Sequence, residues 1–119
     1  MRRKAAIALT LSLVLFASSI SASAAFREGF YGDYYYELVG TCEGGEAYAR
    51  TSVNNQSYTA KVSAEIYRYT TGSLYTNIGS LERAGSVSFN IPISISSFNM
   101  WSHHYINGTL ISDLFSSTN

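Results

Sequence analysis

Cysteine and proline occur once each in this chain, at Cys42 and Pro92. A lone cysteine cannot close an internal bridge, which excludes the disulfide framework that staples many small extracellular domains. Cys42 is also too far from the N-terminus to be a lipid-attachment cysteine at a leader junction. Three fates remain: burial as a small apolar residue, a bridge between two copies of the chain, or a reactive thiol. Glu43 and Glu46 would raise its pKa, which makes a nucleophile the least supported of the three. Long apolar runs are missing as well. The longest, from about Ala5 to Ala17, falls short of the roughly 20 residues that span a bilayer and passes directly into Ser and Ala.

That run follows Arg2, Arg3 and Lys4 and ends in Ala22-Ser23-Ala24-Ala25, the three-part layout of a secretory signal peptide. Cleavage is expected after Ala24 or Ala25, which makes residues 1–25 a leader of bacterial type and residues 26–119 a single secreted, extracellular domain. Three of the eight basic residues leave with the leader while all eight acids stay, so the mature chain carries a net charge of −3. No basic cluster remains for nucleic acid, and no basic amphipathic helix for stable membrane insertion.

A domain of this size has little core to spare, so its elements must pack well. Its vocabulary is that of strands: ten Tyr, one Trp and many Ser, Thr, Asn and Gly, with Lys61 the single lysine after the leader. In residues 85–96, "GSVSFNIPISIS", Val87, Phe89, Ile91, Ile93 and Ile95 alternate with Ser88, Asn90, Pro92, Ser94 and Ser96. This predicts a strand with one buried face, and Pro92, lacking a ladder donor, predicts an edge or a bulge. Residues 57–67 alternate likewise, with Tyr58, Ala60, Val62, Ala64 and Ile66 inward. Ala47, Ala49, Thr51 and Val53 form a weaker inward set, "NNQS" (54–57) and "TTGS" (70–73) supply turns, and a short strand follows from Leu74 to Ile78.

Asn107-Gly108 is a type I′ hairpin signal that places Ile106 opposite Thr109 and Tyr105 opposite Leu110. No segment carries a helical stripe. About seven short strands predict an all-β fold, a small antiparallel β-sandwich, with a small β-barrel as the alternative.

Catalytic constellations are sparse. His103 and His104 are neighbours on a predicted strand, so they point to opposite faces and do not grip one metal. One is expected to pack beside Trp101 or Tyr105 and the other to be solvated. There is no G-x-S-x-G elbow, and Asp33 and Asp113 are the only aspartates, so a hydrolase is the third-ranked reading. "CEGGE" reads as a flexible turn or a weak cation site. Asn55-Gln56-Ser57 and Asn107-Gly108-Thr109 are glycosylation sequons in predicted turns. No metal or cofactor is implied.

The aromatic residues carry the functional expectation. Period two through residues 30–38 sends Phe30, Tyr34, Tyr36 and Leu38 inward and leaves Tyr31, Asp33, Tyr35 and Glu37 as an outward strip of phenol and carboxylate. Tyr67 faces out beside Glu65, and Tyr48 beside Arg50. An exposed set of this kind suits a cell-wall glycan or a surface protein. The leading expectation is therefore a secreted non-catalytic binding domain. The layout is also similar, in size and composition only, to that of small exported bacteriocins of the lactococcin type. With no motif shared, that similarity implies an antagonistic role as the alternative and assigns no residue.

Overall fold

The structure is a computed structural model and describes residues 24–119; the expected leader lies outside the described residues except for Ala24 and Ala25. Eight strands run in chain order: β1 (Ala25–Tyr31), β2 (Tyr34–Glu43), β3 (Glu46–Val53), β4 (Thr59–Arg68), β5 (Leu74–Ala84), β6 (Ser86–Pro92), β7 (Phe98–Ile106) and β8 (Thr109–Ser117). They form two four-stranded antiparallel sheets, β1-β2-β3-β6 (sheet A) and β5-β4-β7-β8 (sheet B). Among the described residues there is no helix, and hence none long and apolar enough to cross a membrane. The two sheets pack face to face as a sandwich rather than closing into a barrel.

The segments alternate as predicted, but β6 ends at Pro92 rather than running on to Ser96, and residues 93–97 are irregular. On β4, Ala60, Val62, Ala64 and Ile66 are buried, and on β3, Ala47, Ala49, Thr51 and Val53. Ala47, Ala49 and the four β4 residues meet Val87 and Phe89 of β6 and Phe98 and Met100 of β7 in the main core. A second cluster, Tyr36, Leu38, Val53, Ile106 and Leu114, fills one end. Burying each large apolar side chain contributes about 1.5–3 kcal/mol. Pro92 closes β6, an edge strand, where a missing donor costs least.

The sheets approach closely where β2 crosses β7. A Cβ on Gly40 would lie 3.0 Å from Ser102 Oγ and 3.5 Å from Met100 Cε, so a side chain there would have to displace Ser102 by a few tenths of an ångström. The chain passes from β5 in sheet B to β6 in sheet A through Gly85 alone, at φ 77°. Its N–H donates to Tyr58 O and its carbonyl accepts from Val53 N, both at 2.8 Å, which ties the corner to both sheets.

Two expectations change. The count is eight because residues 30–38 are not one strand. Gly32-Asp33 forms a turn, Tyr31 pairs with Tyr34 and Phe30 with Tyr35, and directly paired residues share a face. Phe30 therefore lies on the outer face beside Tyr35, while Tyr31 packs against the inner end cluster. β5 also continues past Ile78 to Ala84. Residues 79–84 show no alternation and include helix formers, yet cross-strand pairing with β4, from Val62–Leu81 to Thr59–Ala84, holds them extended.

Candidate functional site

The six residues of the expected aromatic and acidic strip do not share a surface. Asp33 is exposed in the β1–β2 turn, and Tyr31 is half-buried at the end of the core, edge-on to Tyr58. Tyr35, Glu37 and Tyr48 take the outer face of sheet A, and Tyr67 the outer face of sheet B. Period two does separate Tyr35 and Glu37 from Tyr36 and Leu38. Their face, however, is not wet: Tyr35 is 4% exposed and Glu37 9%.

Tyr35 lies edge-on to Phe30 and donates to Glu28 Oε1, while Glu37 Oε1 accepts from Arg50 Nη2 at 2.8 Å. Desolvation raises the Tyr35 pKa, and the Glu28 carboxylate raises it further. Burial also raises that of Glu37, an effect the Arg50 guanidinium partly offsets. Tyr34, expected in the core, is 40% exposed at the sandwich end. Tyr35 and Glu37 are thus covered and turned to internal partners on sheet A, with Glu37 Oε2 and Arg50 Nε left buried without a hydrogen bond.

The outer face of sheet B is different. On β7 the odd positions Asn99, Trp101, His103 and Tyr105 point out, and Phe98, Met100, Ser102, His104 and Ile106 are fully buried. Cross-strand pairing sets them in rows: Tyr67–Asn99–Ser117, Glu65–Trp101–Phe115, Ser63–His103–Asp113 and Lys61–Tyr105–Leu110. The rows owe their composition to a β-bulge. The Asn107-Gly108 turn, with φ of 50° and 77°, gives the predicted pairs Ile106–Thr109 and Tyr105–Leu110. Regular pairing would then continue to Trp101–Leu114. Ile111 is instead an extra residue between Leu110 and Ser112, so His103 meets Asp113 and Trp101 meets Phe115. A one-residue shift exchanges the faces of everything beyond it, which turns Asp113 and Phe115 outward and buries Leu114 and Ser116.

Trp101 and Phe115 are 41% and 46% exposed, with ring centroids 5.1 Å apart. With Tyr67, Asn99 and Gly72 they line a shallow hollow of about 270 Å³. Beside it, His103 Nδ1 is 2.6 Å from Asp113 Oδ1, and Nε2 is 2.7 and 2.8 Å from the two oxygens of Glu65. Each ring nitrogen faces a carboxylate, so each must donate, and the ring is an imidazolium. Burial acts against that charge, but the Asp113 and Glu65 hydrogen bonds prevail and raise its pKa. The carboxylates bracket opposite nitrogens and converge on no common point. Among the described residues no cluster of His, Cys, Asp and Glu is placed to hold a metal.

His104 points into the sandwich and is fully buried. Thr51 Oγ1 donates to Lys61 O at 3.0 Å and is 2.8 Å from His104 Nδ1, so it accepts from Nδ1–H; Nε2 then accepts from Ser102 Oγ at 2.8 Å. The result is a neutral imidazole tying sheet A to sheet B, its pKa pushed down to about 4, chiefly by burial. The expectation of one solvated and one packed histidine is therefore corrected: both have partners. Ser63 stands in the same row as His103 and Asp113, but both ring nitrogens of His103 are paired with carboxylates, and the hydroxyls that do bond a histidine, those of Thr51 and Ser102, are at His104 on the inner face. Cys42 is 1% exposed and lies 3.4 Å from Ser116 Oγ between the sheets, where burial raises its pKa. A bridge to a second copy would require the sandwich to open.

Sequence reasoning placed Tyr67 on this face and missed Trp101, Phe115, Asn99, Glu65, His103 and Asp113 as a group. The period-two signal was present on β7 but masked, because both of its faces carry polar and aromatic residues. No protein family, curated protein or solved structure matches the chain.

Proposed function

We propose that the chain is a secreted, non-catalytic binding domain and that its contact surface is the outer face of sheet B. The observation that carries this reading is the exposed Trp101–Phe115 pair beside a hollow, on a face where the β8 bulge turns Phe115 outward to meet Trp101. Large, stiff rings with polar neighbours are the side chains on which binding free energy concentrates. The partner lies at a cell surface, a wall glycan or a protein. Retention of the purified chain on bacterial cells tests the reading. Trp101→Ala and Phe115→Ala are each expected to lower retention by about tenfold or more, a loss of about 1.4 kcal/mol, whereas Tyr48→Ala, on the opposite sheet, leaves it unchanged. Equal retention of all three variants would refute the assignment of the face. An antagonist would use the same surface, and arrest of growth in a panel of related bacteria by the purified chain separates it from a passive binder.

A further inference from the structure

Three rows of sheet B differ in chemistry in a way that selects a ligand. The central row holds the exposed Trp101 and Phe115 rings, tilted 57° to one another. One row away, about 7 Å along the strands at 3.4 Å per residue, stand Asn99 and Ser117. The same distance on the other side stand His103 and Asp113, with Glu65 reaching across to the imidazolium. Ser117 Oγ donates to Asn99 Oδ1 at 2.6 Å, which directs the Asn99 amide N–H groups toward other acceptors. Asp113 uses Oδ1 for His103 and keeps the acceptor capacity of its second oxygen. An apolar strip is thus bordered by donors on one side and acceptors on the other.

From this arrangement we infer that this face binds a neutral oligosaccharide, one ring in the hollow with its C–H face against Trp101 and Phe115 and a hydroxyl on Asn99, and a neighbouring ring reaching Asp113 in the row beyond. The inference rests on the reading of this face as a binding surface and specifies its ligand. A sugar ring has the same layout, apolar on its face and hydroxylated around its rim. The hollow, lined by Tyr67, Gly72, Asn99, Trp101 and Phe115, has a volume of about 270 Å³, at the small end of ligand pockets, which suits a single ring. A cationic ligand is disfavoured because the face already supplies its own cations: His103 takes both carboxylates, and Lys61 Nζ sits 4.3 Å from the Tyr105 ring centroid. An acidic sugar gains no attraction either, because Glu65, Asp113, the His103 imidazolium and Lys61 together carry no net charge.

Trp101 is the only tryptophan in the chain, so its emission reports on this hollow alone. The purified full chain is titrated with cellotetraose, with a tetramer of N-acetylglucosamine, with oligogalacturonate and with choline chloride. The expected result is a saturable change in emission with at least one neutral oligosaccharide and none with the other two. Asn99→Ala and Asp113→Ala should each weaken it about tenfold, with strand circular dichroism retained. Should Asp113→Ala fail to fold, Phe115→Ala serves instead, read by the same emission. A response to choline or oligogalacturonate alone, or to no probe, overturns the sugar assignment. Retention on intact cells then distinguishes the two levels. If protease treatment of the cells abolishes it while Trp101→Ala still lowers it, the face binds a protein and only the sugar inference fails. If Trp101→Ala has no effect on retention, the binding surface itself is refuted.

Discussion

The two adjacent histidines show how strongly a single side-chain direction governs chemistry. His104 is neutral in the fold with a pKa near 4, against about 6.5 in an unfolded chain. Between those values the unfolded state binds the extra proton. Its contribution is therefore complete above pH 6.5 and is lost as the pH falls toward 4, by about 3 kcal/mol in all. His103 has the opposite sign. Its pKa is raised in the fold by Asp113 and Glu65, so its contribution is complete below pH 6.5 and is lost as the pH rises through the folded value. Urea unfolding from pH 4 to pH 8 should show stability rising from the acid side. His104→Gln should flatten that rise, whereas His103→Gln should remove only a decline on the alkaline side. The same acid slope in wild type and His104→Gln would contradict the buried neutral imidazole.

At the level of elements, connections and irregularities decide which residues face out. Gly85 adopts φ 77°, and a Cβ there would lie 2.7 Å from Gln56 Nε2. Gly85→Ala should cost about 1–3 kcal/mol by chemical denaturation, and adding Gln56→Ala should recover only the steric part, because the backbone strain persists. The bulge at Ile111 makes a less intuitive prediction. Deleting one residue from a strand ordinarily reverses its faces, but deleting Ile111 restores regular alternation with His103–Asp113 and Trp101–Phe115 still paired. That deletion should lower stability by about 1–2 kcal/mol, from the partial burial of Ile111, and leave Trp101 emission unchanged. Deleting Leu114 instead should turn Phe115 inward and abolish the native emission. Equal damage from the two deletions would refute this account of the register.

For the whole molecule, the sandwich is held by core packing and by polar ties between its sheets, with its single thiol inside. Cys42 should react with a thiol reagent only as the protein unfolds, and the urea midpoint should be the same with and without reductant. Rapid labelling of the folded chain, or a reductant-sensitive dimer on non-reducing electrophoresis, would contradict a buried sulfur. The β3–β6 and β4–β7 pairings bring together residues distant in sequence, so refolding is expected in milliseconds to seconds, as for other sandwiches. Stopped-flow fluorescence of Trp101 reads this directly.

Much of this architecture is legible in the sequence. Alternation in 57–67 and 85–96 names the inward side chains, of which Tyr58, Ile91 and Ile95 are only half-buried and the last two of 85–96 lie past the strand's end at Pro92; Asn107-Gly108 sets a hairpin and its first two pairs, and the solitary proline marks an edge. These signals are local, because a strand's period and a turn's backbone conformation depend on neighbouring residues. The candidate site is not local. On β7, Ser102 and His104 face in while Trp101 and Tyr105 face out, an inversion of ordinary hydropathy made possible by Thr51 from the other sheet. The Gly32-Asp33 turn reassigns Phe30 and Tyr31, and the bulge at Ile111 exchanges the faces of β8. The amino-acid sequence by itself determined where strands form and which residues alternate. Only the tertiary structure decided which side of each strand meets the core, since that depends on partners contributed by distant segments.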